Sequence, residues 1–271
     1  MPSNCRKKAL PSLGFKTKTM KKVYRILTIT LLVILTSCGT MRLSRADKKL
    51  LPLTYQSVPE QILVKKGFIT SYNQDTRQPN WVFWQLTSAH VNGDAVRPGN
   101  AYHEDNKVPQ PRATLADYRR SGYTRGHMCP AGDNKWDRTA MFDSFALSNI
   151  CPQTDRCNSG VWNNIETQCR EWAMEYGDIY IVCGPLYDGI PDIIGPNKVA
   201  VPDAFFKVVV CLKGKKKGIG FICENIDRNQ SMKRCVVTIE EIERRTGFDF
   251  FPNLTARDRR AVEERANLKD W

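Results

Sequence analysis

The sequence predicts a domain of the α+β class, in which a central antiparallel sheet is flanked by helices. Aromatic and β-branched runs of strand length recur along the chain, and turn-forming residues separate neighbouring runs. Three other segments carry apolar residues or capping patterns typical of helices. The chain has 271 residues, and even without its first 37 it is long enough for one domain with a well-filled core.

Five runs are the strand candidates. The runs at 67–73 (GFITSYN) and 80–87 (NWVFWQLT) are separated by turn-type residues, so they predict a hairpin. Three later runs supply further strands, namely IYIVCG at 179–184, AFFKVVVCL at 204–212 and GIGFIC at 218–223. The last two flank the sequence GKKK, which predicts a solvated basic turn.

Three helices are predicted beside the strands. A helix from about Ser159 to Tyr176 carries an apolar stripe that can pack on the sheet. A capping-box pattern at Thr238 opens a second helix, which ends near Gly247, and a charged helix is predicted from Thr255 to Leu268. The stripe of the first helix consists of Trp162, Ile165, Cys169, Trp172 and Ala173.

The first residues predict a targeting segment that precedes the folded domain. A basic stretch and an apolar run from Ile26 to Thr36 lead to Cys38, an order that resembles a bacterial lipoprotein signal cut before a lipidated cysteine. The run is shorter than the roughly 20 residues needed to span a bilayer. An ordinary secretory signal or a buried apolar helix is the alternative. We therefore expect a signal peptide at 1–37, a tether at 38–62, a domain at 63–271, and lipid anchoring at the periplasmic or extracellular side of a bacterial cell envelope.

The positive charge of the chain belongs largely to this targeting segment. The formal net charge is +13, and residues 1–37 hold eight Lys/Arg and no acidic residue, so the remainder carries +5. A mildly basic domain is compatible with a polyanionic ligand but does not identify one.

The cysteines provide a second indication of compartment. Ten are present, and eight remain once Cys5 and Cys38 are set aside. In an exported chain these eight predict at least one disulfide. The alternative is a free buried thiol, because Cys183, Cys211 and Cys223 lie inside apolar runs. The chain has no C-x-x-C pair and only three histidines, so no zinc site is predicted.

One histidine lies in a setting that suits acid–base chemistry. His127 belongs to the stretch GYTRGHMCPAGD (122–133), where the alternating apolar pattern has ended. A neutral imidazole is a natural general base near pH 7. Gly126 lets the backbone bend tightly, and Arg125 offers a planar guanidinium to phosphate oxygens. By itself, however, Arg-Gly-His also fits a polar residue in a turn.

A second polar set lies on the first predicted helix. Asn158, Glu166 and Arg170 share one broad face with Trp162, because they are spaced at multiples of four residues. An amide oxygen, a carboxylate and a guanidinium near a histidine loop form a workable set for phosphodiester cleavage. The same spacing fits an N-cap asparagine and an i,i+4 Glu–Arg pair on a solvated helix. Spacing alone leaves both interpretations open.

Longer stretches around these residues resemble the DNA/RNA non-specific endonucleases, the ββα-metal (His-Me finger) family of the Serratia nuclease and mitochondrial endonuclease G type. The similarity lies in YTRGHMCPAGD, in SNICPQTDRCNSGVWNNIE, and in GPLYDG followed by IGPNKVAVPDAFFKVVV. SYNQDTRQPNWVFWQLT upstream and IEEIERRTGFDFFPNL downstream also fit, so the similarity covers roughly residues 65–255. It implies the ββα-metal nuclease fold.

The resemblance assigns roles to individual residues. His127 matches the general base that activates water for in-line attack on phosphorus. Asn158 matches the one direct protein ligand of a Mg²⁺ ion, for which Mn²⁺ is the alternative, and Glu166 matches the carboxylate that holds metal-bound water. Arg170 matches an arginine that stabilises the charged transition state. Arg125 is grouped with the catalytic residues, and the residues that shape the site are Asn149 and Arg97.

One position departs from the family pattern. The family usually has Asp-Arg-Gly-His, and this chain has Thr124 in the place of the aspartate. A lost carboxylate is expected to loosen the loop or to alter the pKa values of the site, and so to weaken catalysis without abolishing it. The match of Arg97 with a second family arginine depends on differing loop lengths. His90 and His103 match no catalytic position and are expected to be surface polar residues.

These observations predict a Mg²⁺-dependent endonuclease that hydrolyses DNA and RNA with little sequence preference, and the resemblance implies products with 5′-phosphate ends. The expected partners are nucleic-acid substrates and, through lipidated Cys38, a membrane. The oligomeric state is open, with a homodimer among the alternatives. A catalytically weakened nucleic-acid-binding lipoprotein, supported by Thr124, is the first alternative function, and a disulfide-rich structural envelope protein is the second.

Overall fold

A seven-stranded sheet organises the chain in the computed structural model, which describes residues 49–271 apart from residue 56. Its strands are β1 (Gln61–Val64), β2 (Ile69–Asn73), β3 (Gln78–Leu86), β6 (Ile179–Leu186), β9 (Ala204–Cys211), β10 (Lys217–Glu224) and β11 (Val236–Val237). They lie in the order β1-β2-β3-β6-β9-β10-β11, and each neighbouring pair is antiparallel. The predicted antiparallel sheet and all five of its predicted strands are confirmed.

Two small hairpins lie outside this sheet. One pairs β4 (Thr124–His127) with β5 (Ile150–Gln153), and the other pairs β7 (Ile193–Ile194) with β8 (Val199–Ala200). The sequence did not predict them, because strands of two to four residues are too short to show an alternating pattern.

Seven helices accompany the strands in the described residues. They are α1 (Ser88–Val91), α2 (Leu115–Tyr118), α3 (Arg138–Asp143), α4 (Asn163–Tyr176), α5 (Met232–Cys235), α6 (Ile239–Thr246) and α7 (Ala256–Glu263). The segment Arg156–Trp162 is π-helical and leads directly into α4. The helix predicted from about Ser159 is therefore present, but its first turns are wound more loosely than an α-helix.

The two C-terminal helices begin where their capping residues predict. The side chain of Thr238 accepts a hydrogen bond from the backbone N–H of Glu241 at 3.1 Å, and Gly247 ends α6 in the left-handed region at φ 71°. The side chain of Thr255 accepts from the N–H of Asp258 at 3.2 Å and opens α7. This helix ends at Glu263, before the predicted end at Leu268.

Both faces of the sheet are buried by packed side chains. Successive residues of a strand point to opposite faces, so neighbours in β9 belong to different clusters. Phe205 and Val209 of β9 belong to one core cluster together with buried residues of α4, which we call the α4-side cluster. Phe206 and Val208 belong to the other, which contains Ile239 and Ile242 of α6 and which we call the α6-side cluster. All five predicted stripe residues are buried, four of them in α4 and Trp162 directly before it, in agreement with the sequence.

Part of the predicted tether is folded against the domain. Leu53 and Asp249 exchange backbone hydrogen bonds of 2.9 and 3.1 Å, and Trp81 Nε1 donates to Thr54 Oγ1 at 2.9 Å. Strand β1 begins at Gln61, ahead of the predicted domain start at residue 63. The predicted signal peptide and Cys38 lie outside the described residues. Within 49–271, no helix combines the length and apolarity required to cross a membrane.

The predicted disulfide is absent from the described part of the chain. All eight cysteines there are free and buried, and all belong to the α4-side cluster. Burial raises the pKa of the Cys169 and Cys183 thiols to about 12, so both are uncharged at neutral pH. The alternative of buried thiols therefore holds, and a disulfide-rich structural protein has no support.

Candidate active site

The β4–β5 hairpin and α4 form one unit, with two strands leading into a helix. His127 lies opposite Ile150 and Thr124 opposite Gln153 in the hairpin. Gly126 is required between them, because a Cβ at that position would overlap the Gln153 side chain. Trp162 Nε1 donates to the backbone oxygen of His127 at 3.1 Å, which fixes the beginning of the helix against the hairpin.

Asn149 supports this hairpin from inside the protein. Its side chain is fully buried, and Oδ1 accepts from the N–H of Cys129 at 3.0 Å while Nδ2 donates to the oxygens of Cys129 and Ser144 at 2.9 and 2.8 Å. All of its side-chain hydrogen bonds are with backbone groups of the described chain. Asn149 therefore shapes the loop after His127, and its fully buried side chain is not exposed to a substrate.

His127 occupies an aromatic surrounding on the hairpin. Its ring centroid lies 5.5 Å from that of Tyr102 and 4.9 Å from that of Phe145. Burial, together with the positive charge of Arg97, lowers the pKa of His127 to about 3, so the imidazole is neutral at physiological pH. Nε2 is enclosed and has no hydrogen-bond partner among the described residues. An orphaned ring nitrogen of this kind is what a water or a substrate group would satisfy.

Two exposed arginines lie beside this aromatic group. The guanidinium carbon of Arg97 is 5.4 Å from the Tyr102 ring centroid and 4.8 Å from that of Phe145. That of Arg125 is 4.3 Å from the Tyr102 centroid. The structure therefore brings both predicted arginines close to the His127 surroundings, through contacts with shared aromatic rings.

Asn158 is joined to the hairpin by the residue that departs from the family pattern. Nδ2 of Asn158 donates to Thr124 Oγ1 at 2.9 Å, and Oγ1 donates to the backbone oxygen of Gln153 at 2.9 Å. Because the threonine proton is used on Gln153, its oxygen must accept from an N–H, which places the amide nitrogen of Asn158 at Thr124. The Oδ1 atom of Asn158 remains available as a ligand.

Arg170 is held by a buried carboxylate that the sequence reasoning did not single out. Nη1 pairs with Asp133 Oδ1 at 3.1 Å, and Nη2 donates to Thr167 Oγ1 at 3.0 Å. The other oxygen of Asp133 accepts from Trp84 Nε1 at 3.0 Å. No direct Glu166–Arg170 ion pair is present in the described chain, so a solvated i,i+4 pair does not account for this face of α4.

Glu166 lies in a setting that disfavours its charge. Burial raises its pKa to about 7, opposed by the positive charges of Lys207 and Arg170 and assisted by the negative charge of Asp133. A carboxylate that is only half-ionised at neutral pH is ready to gain a cation or a hydrogen-bond donor.

Lys207 is a second buried charged residue, after Asp133, that was not predicted from the sequence. It lies in β9, is fully buried, and places Nζ 4.2 Å from the Trp162 ring centroid and 5.3 Å from that of Trp84. Burial lowers its pKa, but the groups that face it, with Cys183 and Glu166 foremost, outweigh this and raise the pKa above its ordinary value. The available signal was a single lysine inside the apolar run AFFKVVVCL.

The donor set fits a hydrated Mg²⁺ ion better than a metal held by several side chains. The described residues contain no group of three or more His, Cys, Asp or Glu side chains that could hold a metal. One free amide oxygen at Asn158, with the Glu166 carboxylate in the helix that follows, is a donor set that suits an ion that keeps most of its waters.

The other two histidines have separate contacts. His90 stacks on Trp136 with centroids 4.9 Å apart, and His103 stacks on Phe142 at 4.1 Å. Their Nδ1 atoms hydrogen-bond the backbone oxygens of Gln85 and Ala101, respectively. The sequence suggested surface residues, but both histidines are half-buried, and their contacts are structural.

Comparisons with known proteins identify the family of the chain. A family model for DNA/RNA non-specific endonucleases matches residues 49–257. Mitochondrial endonuclease G of Bos taurus is 36% identical over 212 residues, which cover 73% of this chain and 71% of that protein. A nuclease of Nostoc sp. is 31% identical over 219 residues, covering 76% of this chain and 78% of that protein.

A solved structure extends the agreement to the fold. The structure of an EndoG/EndoGI complex, which concerns the inhibition of EndoG, superposes with a TM-score of 0.72 at 29% identity and covers 84% of this chain and 99% of the matched chain. The family resemblance and the ββα-metal nuclease fold inferred from the sequence are confirmed.

Proposed function

The chain belongs to the DNA/RNA non-specific endonuclease family and is a nuclease, and we propose that it hydrolyses phosphodiester bonds of both DNA and RNA in a Mg²⁺-dependent reaction with His127 as general base. One observation carries this proposal. A neutral imidazole with an orphaned Nε2 lies on the same hairpin as Thr124, which orients the amide of Asn158. The helix that follows Asn158 supplies Glu166 and Arg170.

His127 acts as the proton acceptor. Because its pKa is about 3 in the free protein, the ring is neutral at all physiological pH values, but it is a weak base before a substrate binds. A substrate phosphate brings negative charge close to the ring, which raises the pKa of His127 and strengthens the base when the reaction needs it. Asn149 and Trp162 keep the hairpin in place through backbone hydrogen bonds.

Asn158 and Glu166 would hold the cation. The Oδ1 atom of Asn158 would provide a neutral oxygen, and the Glu166 carboxylate would accept hydrogen bonds from water bound to the ion. A Mg²⁺ ion bound there supplies Lewis-acid stabilisation of the charge that develops on the phosphate oxygens. The positive charge of Lys207 keeps part of Glu166 ionised at neutral pH.

Arginines bind the phosphate groups. Arg170 is fixed by Asp133 and Thr167, so its guanidinium is already oriented when the substrate arrives. Arg97 and Arg125 are exposed beside the His127 surroundings and add positive charge there. Because such contacts are to phosphate oxygens and not to base edges, they give binding without sequence preference. Products with 5′-phosphate ends, as the resemblance implies, are part of this proposal.

The location of the enzyme is a separate part of the proposal. The basic stretch, the apolar run and Cys38 support a lipid-anchored nuclease in a bacterial envelope, where it would not meet the chromosome of its own cell. Radiolabelled palmitate incorporation that is lost in Cys38→Ala would support the anchor. Incorporation that persists in this variant would contradict it.

The catalytically weakened alternative rested on Thr124. The hydrogen bonds of Thr124 with Asn158 and Gln153 favour the catalytic function instead, because the hydroxyl provides the acceptor that the amide of Asn158 requires. A protein that binds nucleic acid with Mg²⁺ present and never cleaves it would restore the alternative.

The proposal is tested with the purified full chain, plasmid DNA and an RNA transcript. Cleavage is expected with Mg²⁺ or Mn²⁺ and not with EDTA. His127→Gln is expected to reduce kcat/KM by about 10²–10⁴-fold, the usual contribution of a general base. His90→Gln is the matched control, since His90 is a half-buried histidine with only structural contacts. Cleavage that survives in EDTA or in His127→Gln would contradict the mechanism.

A further inference from the structure

A basic cleft lies between the turn that connects β9 to β10 and helix α7. Six cationic and three acidic side chains line it. The turn and the first residue of β10 contribute Lys215, Lys216 and Lys217, and the helix and the segment after it contribute Arg257, Arg260 and Arg265. The sequence predicted the GKKK turn as a solvated segment, but three arginines of a separate element face the same space.

The cations of this cleft are only partly neutralised. Lys216 pairs with Asp258 at 2.6 Å, and Lys217 is engaged with the Tyr176 ring and the backbone oxygen of Asp270. The three arginines of the cleft are Arg257, Arg260 and Arg265, and all are exposed. No carboxylate among the described residues lies within ion-pair distance of any of them.

The arginines on the two faces of helix α7 differ in whether they are paired with a carboxylate. Arg259 faces the protein and pairs with Asp249 at 2.9 Å and with Glu263 at 3.0 Å. Arg257 and Arg260 lie three residues apart on the face that lines the cleft, and Arg257 is in the first turn, where the helix dipole disfavours a cation. Cations placed together without partners cost folding free energy, which an anionic ligand would offset.

The cleft is separate from the active site. Lys217 Nζ lies 3.3 Å from the ring centroid of Tyr176, at the C-terminal end of α4. Glu166 is ten residues earlier in the same helix, so the two places are roughly 15 Å apart along α4 at 1.5 Å per residue. Duplex DNA rises about 3.4 Å per base pair, and this separation therefore corresponds to about four base pairs.

We propose that the basic cleft is a second binding site for the phosphate backbone of a nucleic acid, which retains a long substrate beyond the segment being cut. This inference rests on the proposed nucleic-acid substrate. Three unpaired guanidinium groups in one concave site suit successive phosphates, because each can bind phosphate oxygens in a bidentate way. Both sites are occupied together only by substrates long enough to span them.

Binding is measured with the full chain in EDTA, where no cleavage is expected, using a fluorescent duplex of about 30 base pairs. Arg257→Gln/Arg260→Gln is compared with Lys107→Gln/Lys198→Gln, a control that removes two exposed lysines elsewhere. The cleft variant is expected to bind about tenfold more weakly and to lower the salt slope by about two, whereas the control stays near the wild type. Equal affinity and slope for both variants would overturn the proposal.

Cleavage assays separate this proposal from the proposed function. With Mg²⁺, the cleft variant is expected to raise KM for plasmid DNA several-fold and to leave hydrolysis of bis(4-nitrophenyl) phosphate unchanged, because this small diester cannot reach the cleft. A wild type that hydrolyses neither substrate contradicts the proposed function itself. An unchanged KM for plasmid in the cleft variant overturns the second site alone. A variant that loses binding to phosphatidylserine vesicles but not to DNA assigns the cleft to a membrane surface and overturns it as well.

Discussion

The two faces of the central sheet are built in different ways. On strand β9, Phe206 and Val208 point into the α6-side cluster, and no charged residue of this strand shares that face. The intervening Lys207 points to the opposite face, towards Trp84 and Trp162 of the α4-side cluster. That face also contains buried Asp133 and the eight buried cysteines.

This difference gives the two faces different roles: apolar packing on the α6 side and the charged residues of the candidate site on the α4 side. Phe206 and Val208 stabilise the fold by apolar burial, and the buried Glu263 of helix α7 pairs with Arg259 at 3.0 Å. On the α4 side, Lys207, Asp133 and Glu166 lose solvent, and the opposite charges among them and Arg170 offset part of that cost. Strand β9 therefore contributes its one charged side chain to the face that carries the candidate site, and only apolar side chains to the other face.

The largest effect is expected from truncation on the α6 side. Phe206 is fully buried and lies 5.6 Å from Phe250 between ring centroids. Phe206→Ala should lower the free energy of unfolding by about 3–5 kcal/mol, measured by urea denaturation. The kcat/KM of the protein that remains folded, assayed at low temperature, should equal that of the wild type. A selective loss of kcat/KM in fully folded protein would show that the two faces are coupled.

The α4 side should respond in the opposite way to the loss of a buried charge. Lys207→Met keeps much of the side-chain volume but removes the positive charge that lowers the pKa of Glu166. We expect kcat/KM at pH 7 to fall at least tenfold. Glu166 can gain a proton once Lys207 is lost, so the free energy of unfolding should fall by less than the roughly 3–5 kcal/mol that an unpaired buried charge costs.

The neighbouring residue provides the control for this substitution. Val208→Met places the same side chain one position along β9, on the α6 side. It should cost about 1–3 kcal/mol through overpacking and leave kcat/KM unchanged. If both methionine variants lost activity to the same extent, the role assigned to Lys207 would be untenable.

The sequence predicted those parts of the fold in which one pattern repeats over many residues. Strands β2, β3, β6, β9 and β10 and the stripe of α4 have a long alternating or helical period. Hairpin β4–β5 was missed because each of its strands has only four residues. The sequence of β4, TRGH, also has no apolar alternation. The disulfide prediction failed because cysteine number and export do not determine which thiols meet, and here all are packed as small apolar groups.

The sequence proposed candidate site residues but not the network around them. The resemblance pointed to His127, Asn158 and Glu166, whereas Asp133 and Lys207 come from distant positions in the chain and meet α4 only in the folded protein. The consequence of Thr124 could not be derived from the sequence either. Its weakening effect was expected from a lost carboxylate, but a hydroxyl can accept the same hydrogen bond from Asn158.

The prediction with the next largest expected effect concerns Thr124. Thr124→Val removes the acceptor for Asn158 Nδ2 and should raise the Mg²⁺ concentration needed for half-maximal cleavage by about 10–100-fold, as is usual when a group that orients a metal ligand is lost. Thr124→Ser and Thr124→Asp both retain an acceptor and should stay within a few-fold of the wild type. A valine variant with an unchanged Mg²⁺ requirement would mean that this hydrogen bond does not position the amide.

The smallest expected effect is a displaced pH profile, and it distinguishes Glu166 from His127. Glu166 has a pKa raised to about 7 and must be ionised to hold metal-bound water, so activity should fall as pH decreases through 7. His127 has a pKa lowered to about 3 and therefore contributes no loss between pH 5 and 9. At limiting Mg²⁺, kcat/KM at pH 6 should be roughly a tenth of its plateau value, because a group with this pKa is about nine-tenths protonated there.

Mg²⁺ itself provides the check on that assignment. A cation favours the ionised carboxylate, so a higher Mg²⁺ concentration should move the acid limb to lower pH. Glu166→Gln should remove the limb together with most of the activity, and Lys207→Met should move it to higher pH because a neighbouring positive charge is gone. A limb near pH 7 in kcat/KM that persists in Glu166→Gln and does not respond to Mg²⁺ would assign it to His127 and not to Glu166. In that case the charged groups of the α4 side would affect only the stability of the fold, and the difference between the two faces would have no bearing on catalysis.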